Sequence, residues 1–207
     1  MYKRQVGVST AKDTLKVPGT VSPGKVVVHP NPKEGVGIAW QSPFTGRVTI
    51  SGRVADAHNC GDSVNWHLDS LGATGFQEIA SGSVETNSAS PILLVRSQQS
   101  GGKGGGPVEV AVNKGELIQL AVMPKAHYGC DLTQVDLTIS EVGGKRSWDL
   151  ATDVKDDLIE GNPNDDRYGN SPWFFYVVAD DRGRSVNLKP LVAVSYTHLR
   201  AHETSSN

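Results

Sequence analysis

The sequence predicts an all-β fold: an antiparallel β-sandwich, jelly-roll-like, with a partial C-terminal extension. Three observations support this prediction. Apolar and polar residues alternate with a period of two over most of the chain, turn-forming residues separate the alternating segments, and no segment shows the period of an amphipathic helix. Roughly seven to nine short strands at this spacing are typical of two-sheet sandwiches.

The alternating segments lie within residues 25–142, which we assign to the sandwich. Each segment places its apolar side chains on one face of a strand, and these faces are expected to form the core. They are Val26 and Val28; Val36, Ile38 and Trp40; Val48, Ile50 and Val54; Val64, Trp66 and Leu68; Val108, Val110 and Val112; Ile118, Leu120 and Val122; and Val135, Leu137 and Ile139.

The regions outside the alternation are assigned by their composition. Residues 6–24 are expected to be a linker. Residues 98–106, with their GGKGGG run, predict a surface loop rather than a phosphate-binding loop, because no GK[ST] sequence and no helix pattern follow. Residues 143–193 contain a buried-strand pattern at 173–178. They are either an extension of the sandwich or the truncated start of a further module.

Both ends of the chain resemble translated adapter sequence from short-read sequencing libraries. Residues 1–5 (MYKRQ) and residues 194–207, which begin VSYTHLRAHET, match such adapters at opposite ends and in frame. We therefore expect residues 6–193 to be a biological fragment of metagenomic type and exclude the two ends from fold reasoning. For the same reason, His198 and His202 are not interpreted as a metal-binding pair.

Composition excludes several classes of function. The chain has 20 Lys and Arg against 22 Asp and Glu, a net charge of −2, and no basic block, which argues against nucleic acid as a partner. No run of 18 apolar residues is present, so no membrane-spanning helix is expected. The two cysteines lie far apart, which excludes a CxxCH haem attachment and a CxxC zinc pair.

A series of short motifs runs in order between residues 17 and 176. They are VHPNP at 28–32, AWQSP at 39–43, CGDSVNW at 60–66, KGELI at 114–118, YGCDLT at 128–133, WDL at 148–150 and GNP at 161–163. This series resembles a module of large planctomycete-type exported proteins that combine a cytochrome-c-like domain with domains of unknown function. The resemblance implies a β-sandwich accessory module, similar to carbohydrate-binding modules, in the periplasm or outside the cell. The haem motif of that family is absent here, so no redox role is carried over.

Cys60 and Cys130 each lie in a glycine-containing turn beside a predicted strand. In an exported protein we expect them to form a disulfide, the alternative being two independent buried thiols. In the chain-entropy model, closing a loop of this length would stabilise the fold by roughly 4 kcal/mol. No His/Asp partner pattern accompanies either cysteine, so neither is expected to be catalytic.

The candidate ligand-binding residues flank these two cysteines and converge at one end of the sandwich if the disulfide forms. Loop clusters on a rigid scaffold are common binding sites, and Tyr and His can stack on or hydrogen-bond a sugar ring. The acidic members can bind sugar hydroxyls or ligate calcium. The alternative is a loop cluster that merely packs around the disulfide. The residues are His58, Asn59, Asp62, His127, Tyr128 and Asp131.

Two further polar groups have both a functional and a structural interpretation. The first group is Asn65, His67 and Asp69. It shares the outward face of a strand, as in sugar-binding sheets, but a solvated face is the simpler interpretation. The second group offers oxygen ligands for calcium, although its spacing does not match an EF-hand and Asn and Asp also favour turns. Its members are Asn162, Asn164, Asp165, Asp166 and Asn170.

The sequence therefore predicts a non-catalytic, carbohydrate-binding-like accessory module of a larger exported protein. Its expected partners are a polysaccharide and neighbouring domains of the same chain, with no cofactor unless calcium is bound. The first alternative is a structural module that packs against its neighbours without a ligand. The second is a fragment of a sandwich-fold polysaccharide-active enzyme, which is least favoured because no pair of acids is singled out and no GxSxG or HExxH motif is present.

Overall fold

The computed structural model describes residues 5–9, 12–16, 19–92, 107–126, 129–155, 158, 162–179 and 193–195. No helix in these ranges is long and apolar enough to cross a membrane. Helix α1 (Leu150–Asp153) is a single turn. The strands are β1 (Gln5–Val8), β2 (Leu15–Lys16), β3 (Thr20–Val21), β4 (Val26–His29), β5 (Gly35–Gln41), β6 (Gly46–Asp56), β7 (Val64–Gly72), β8 (Gly75–Ser83), β9 (Ala89–Ile92), β10 (Val108–Val112), β11 (Leu117–Pro124), β12 (Thr133–Glu141), β13 (Ser147–Asp149), β14 (Trp173–Val178) and β15 (Ala193–Ser195).

Two sheets pack face to face, which confirms the predicted all-β sandwich. The first has the order β10-β6-β12-β4-β1-β15, with β9 beside β6 and β13 beside β12, and the second has the order β14-β5-β11-β7-β8. Strands β4 to β8 and β10 to β12 are distributed between the two sheets as in a jelly roll. The described pairings are antiparallel except that of β1 with β15, which is parallel.

The predicted apolar faces meet between the two sheets. Trp40 and Trp66 are buried core residues, as expected, and Val110 is only partly buried. Burying a large apolar side chain contributes about 1.5–3 kcal/mol, so this layer supplies most of the force that holds the sheets together.

Within residues 6–24, where the sequence predicts a linker, the described residues form strands. Strand β1 pairs with β4, and Val6 and Val8 are buried in the main core. Strands β2 and β3 form a small two-stranded sheet. Strands of two to four residues carry too few alternations to stand out in the sequence. Strands β1 and β15 also include residues 5, 194 and 195 of the adapter-like ends.

The described part of residues 143–193 extends the sandwich. Strand β13 pairs with β12, and Asp149 caps helix α1 by accepting a hydrogen bond from the Thr152 amide at 3.0 Å. Strand β14 then pairs with β5 along its whole length, placing Trp173 opposite Trp40. Strands β13 and β14 are therefore part of the two sheets of the sandwich.

Candidate functional site

The predicted disulfide is present. Cys60, after β6, is bonded to Cys130, before β12, and their Cα atoms are 5.6 Å apart. The two loops approach so closely that a Cβ on Gly61 would lie 2.4 Å from the Gly129 carbonyl oxygen, and Gly61 has a φ of +82°. Glycine is therefore required at this position. We call this part of the molecule, residues 56–63 and 129–134, the disulfide end.

A polar pocket of about 410 Å³ opens at the disulfide end. Two of the predicted site residues, His58 and Asn59, line it. The other polar side chains come from segments that the sequence analysis did not single out, because they are far apart in the chain and share no motif. They are Lys16, Thr20, Ser22, Asp56, Asn87 and Gln134.

Backbone contacts fix one wall of this pocket. The Thr20 amide donates a hydrogen bond to the Ala57 carbonyl at 2.7 Å, and the Ser22 amide donates to Gln134 Oε1 at 3.1 Å. A Cβ on Gly19 would lie 2.3 Å from the Ala57 carbonyl oxygen, so no side chain fits there. The segment around β3 is therefore clamped against the end of β6, and the pocket is preformed.

Asp56 organises the opposite wall. Its Oδ1 accepts a hydrogen bond from the His58 amide at 3.0 Å, and its Oδ2 accepts one from the Asn87 amide at 2.8 Å. Both carboxylate oxygens of Asp56 thus hold backbone amides in place, and their role here is structural. This arrangement places the side chains of Asn59 and Asn87 at the pocket.

His58 lines the pocket, and its Nδ1 accepts a hydrogen bond from the Leu132 amide at 3.4 Å. His29 lies near it. His29 Nδ1 donates to the Pro30 carbonyl at 2.7 Å. Burial lowers the pKa of His29, the hydrogen bond to Pro30 partly opposes this effect, and the nearby His58 lowers the pKa further.

Asp131 does not line the pocket as the sequence predicts. The residue is fully buried, and within the described part of the chain neither carboxylate oxygen has a hydrogen-bond partner. Burial raises the pKa of Asp131 to about 7, with further contributions from the negative charges of Asp62 and Asp56 and an opposing one from Lys125. Asp62 is partly buried. His127 and Tyr128 lie outside the described residues.

The predicted polar stripe on β7 is not a simple solvated face. Asn65 and His67 are partly exposed, but Asp69 is fully buried after a register shift in the pairing of β7 with β8. Gln119 and Tyr176 are also buried on this face, and the Tyr176 hydroxyl donates to Gln119 Oε1. Burial raises the pKa of Tyr176, and the charge of Asp69 raises it further.

The Asn/Asp-rich segment is organised around Asp166. Its Oδ1 accepts hydrogen bonds from the amides of Tyr168 and Asn170, both at 2.8 Å, and its Oδ2 accepts one from Trp148 Nε1 at 2.7 Å. Burial alone would raise the pKa of Asp166, but these hydrogen bonds outweigh it and lower the pKa. The carboxylate is therefore a structural acceptor within its own loop.

Other members of the segment also bind protein groups. Asn162 donates from Nδ2 to the Phe175 carbonyl at 2.5 Å and accepts from the Phe175 amide at 3.0 Å. Asp165 accepts a hydrogen bond from the Ser171 hydroxyl at 2.6 Å. Among the described residues, no group of three or more His, Cys, Asp or Glu is placed to hold a metal ion. Calcium thus stays a prediction to which the described geometry adds no support.

An aromatic cluster fills the opposite end of the sandwich. Trp148 contacts Trp40 edge-on, with ring centroids 5.0 Å apart, and stacks on Phe44 at 5.8 Å. The Arg146 guanidinium lies 4.2 Å above the Phe44 ring, and Tyr168 meets Trp148 edge-on at 5.6 Å. We call this region the Trp148 end. Sequence reasoning missed it because its members belong to separate segments.

The disulfide-end pocket is thus preformed and polar, and its lining includes two residues that the sequence predicts. Comparison with protein-family models, with curated proteins and with solved structures finds no match to this chain. Inference about function therefore rests on the geometry described above.

Proposed function

We propose that this sandwich is a non-catalytic polysaccharide-binding module of a larger exported protein. The disulfide-end pocket carries the proposal. Its volume of about 410 Å³ lies in the range of small-molecule sites, and its rim presents amide, hydroxyl and ammonium groups. Sugars carry closely spaced hydroxyls, each a donor and an acceptor, and such a lining complements them.

The way in which the pocket is built supports binding over mere loop packing. Asn59 and Lys16 are exposed at the pocket, while the backbone around them is fixed by Asp56, Ala57 and Gln134. A preformed site loses less conformational entropy when it binds a ligand. The disulfide adds to this rigidity and fits an oxidising compartment outside the cytosol.

The two alternatives receive less support. A module that packs against neighbouring domains should expose a contiguous apolar patch, yet among the described residues the exposed large apolar side chains are Val142 and Tyr168. An enzyme should bring titratable groups together in its cleft. The pocket does bring Lys16, Asp56 and His58 together. However, both oxygens of Asp56 hold backbone amides, and His58 Nδ1 accepts from the Leu132 amide, so these groups already have structural roles.

Affinity electrophoresis against a panel of soluble polysaccharides tests this proposal. We expect one polymer to retard the oxidised protein, and we expect Asn59→Ala to weaken that binding by about fivefold, since a lost hydrogen bond is worth roughly 1 kcal/mol. Gln77→Ala is the matched control, because Gln77 is an exposed amide side chain on the other sheet.

The outcomes separate the three hypotheses. If Asn59→Ala weakens the retardation and Gln77→Ala does not, the result supports binding at the pocket. If a chelator also abolishes the retardation, binding requires calcium. Folded protein that no polymer retards overturns the binding module and favours the domain-packing alternative. Cleavage of a polymer during the run would instead favour the enzyme.

A further inference from the structure

Tyr168 is an exposed aromatic side chain in an otherwise polar surface. The residue is 41% exposed, and Val142 is the other large apolar residue that is exposed in the described ranges. The proposed pocket at the disulfide end does not include it. Tyr168 therefore offers part of an aromatic ring to water outside that pocket.

The ring of Tyr168 is held in place from several sides. Its hydroxyl accepts a hydrogen bond from the Ser147 amide at 3.1 Å and donates one to the Ser147 carbonyl at 3.2 Å. Its amide donates to Asp166, and its ring contacts Trp148 edge-on. A ring fixed in this way offers a flat apolar surface at a low entropic cost.

A cleft whose lining is more apolar than polar begins close to Tyr168 in the chain. Its volume is about 290 Å³, and Asn170 lines it two residues after Tyr168. The two residues are fixed together, because the amides of both donate to the same Asp166 oxygen. Lys114 is exposed in the cleft. The other polar side chains that line it also bind protein groups: Gln41 donates to the Gly115 carbonyl, Ser42 to the Phe44 carbonyl and Ser171 to Asp165.

We propose that Tyr168 and this cleft form a second sugar-binding site, in which one pyranose ring stacks on Tyr168 and its neighbour binds in the cleft. The apolar face of a sugar matches a single aromatic ring in size, whereas a stable protein partner needs an interface of about 1,000 Å² or more. The Arg167 guanidinium lies over one face of the Tyr168 ring, 5.7 Å from its centroid, so a sugar would stack on the other face. Arg167 and the exposed Asp165 place charges of both signs at the site. This mixture favours a neutral polysaccharide.

The second site is far from the first. Gln134 of the pocket lies near the start of β12, and Ser140, which pairs with Ser147 beside Tyr168, lies near its end. Six residues separate them along the strand, or about 20 Å at about 3.3 Å per residue. The proposal shares with the proposed function a polysaccharide ligand, but it depends on different residues and can fail separately.

Tryptophan emission gives this site its own readout. We would titrate the full chain with cellohexaose, xylohexaose, mannohexaose and chitohexaose and record the emission spectrum. Because Trp148 touches Tyr168 and Trp40 lies next to Trp148, stacking at Tyr168 should change the emission. We expect Tyr168→Ala to weaken binding by about tenfold or more and Tyr168→Phe to retain it. We also expect Asn59→Ala to leave the emission change intact.

A second substitution covers the case in which Tyr168→Ala does not fold. Lys114 is exposed in the cleft, so Lys114→Ala should weaken binding several-fold, while Lys33→Ala, an exposed lysine outside the cleft, should not. Circular dichroism of each variant confirms folding. A folded Tyr168→Ala or Lys114→Ala variant that binds every sugar as the unaltered chain does would overturn the second site.

The two proposals give distinguishable failures. Binding lost in Asn59→Ala but preserved in Tyr168→Ala and Lys114→Ala refutes the second site and keeps the pocket. The reverse pattern refutes the pocket and keeps the second site. Absence of binding by the unaltered chain to all four hexasaccharides and to the polysaccharide panel overturns both.

Discussion

The two ends of the sandwich each bury an aspartate, and they treat it in opposite ways. At the disulfide end, the carboxylate oxygens of Asp131 have no hydrogen-bond partner among the described residues, and burial raises the pKa of this group to about 7. At the Trp148 end, Asp166 is almost as buried, yet donors from Trp148, Tyr168 and Asn170 lower its pKa. Burial alone therefore does not decide the charge of a carboxyl group. The donors placed around it do.

Each end of the sandwich is stabilised by a different kind of interaction. A covalent bond joins the loops of the disulfide end. This end can therefore keep the Asp131 carboxyl group buried without hydrogen-bond donors around it. The Trp148 end has no covalent link among its described residues and depends on hydrogen bonds to Asp166 and on contacts between aromatic rings. This contrast predicts that each end should respond to a different perturbation.

Removing the disulfide should have the largest effect. We expect the double variant Cys60→Ala with Cys130→Ala to lose about 4 kcal/mol of unfolding free energy, because the bond closes a loop with a sequence separation of 70. Urea unfolding of the oxidised protein and of the variant measures the difference. A loss below about 1 kcal/mol would mean that hydrogen bonds and packing already fix the disulfide end.

Asp166→Ala should have the next largest effect. The substitution leaves Trp148 Nε1 and two backbone amides without their acceptor, and we expect a loss of about 3 kcal/mol. Near-ultraviolet circular dichroism should report loosened packing of Trp148. The matched control is Asp165→Ala, since Asp165 is exposed and its oxygen binds a surface hydroxyl. A loss as large in this control would contradict the central role of Asp166.

The pH dependence of stability should distinguish the two carboxyl groups. The pKa of Asp131 is about 7 in the folded state against 3.8 as its ordinary value, so between these pH values the unfolded chain has lost a proton that the folded chain keeps. This group therefore makes the protein less stable as pH rises from about 4 to about 7, with a slope of at most about 1.4 kcal/mol per pH unit. The pKa of Asp166 is lowered, so its stabilisation is present above pH 3.8 and is lost as pH falls below it.

Asp131→Asn isolates this contribution. The groups that act on Asp131 are Asp62, Asp56 and Lys125, and they remain in the variant. His29, whose pKa is lowered, destabilises the fold as pH falls below 6.5, which is the opposite direction and also remains. We expect the variant to be about 2 kcal/mol more stable at pH 8, because an uncompensated buried charge is removed. An unchanged pH profile would show that water reaches the Asp131 carboxyl group.

Much of the fold follows from the alternation of apolar residues, since each core strand with three apolar residues on one face was predicted. Strand β8 was not, because most of its side chains are exposed or partly exposed and a register shift interrupts its pairing with β7. Strand β1 lies in the predicted linker, because its two buried valines are too few to show an alternation in the sequence. Local pattern thus predicts long, one-sided strands and misses short or irregular ones.

The candidate sites were predicted less completely. The disulfide and two pocket residues, His58 and Asn59, follow from the cysteines and their neighbours. Lys16 and Asn87 reach the same pocket through strand pairing between distant segments, for which the sequence has no local sign. The exposure of Tyr168 depends on how the loop around Asp166 packs, and a polar loop with one aromatic residue does not show which side the ring faces.

The smallest expected effect concerns the hydroxyl group of Tyr168. Tyr168→Phe removes two hydrogen bonds to the Ser147 backbone but keeps the ring contact with Trp148, and water can replace the lost partner because Tyr168 is exposed. We therefore expect a loss of about 1 kcal/mol in thermal or urea unfolding, well below that of Asp166→Ala. If the two losses were equal, the hydroxyl group would hold the Trp148 end as firmly as the carboxylate does, and the contrast between the two aspartates would not explain how that end is stabilised.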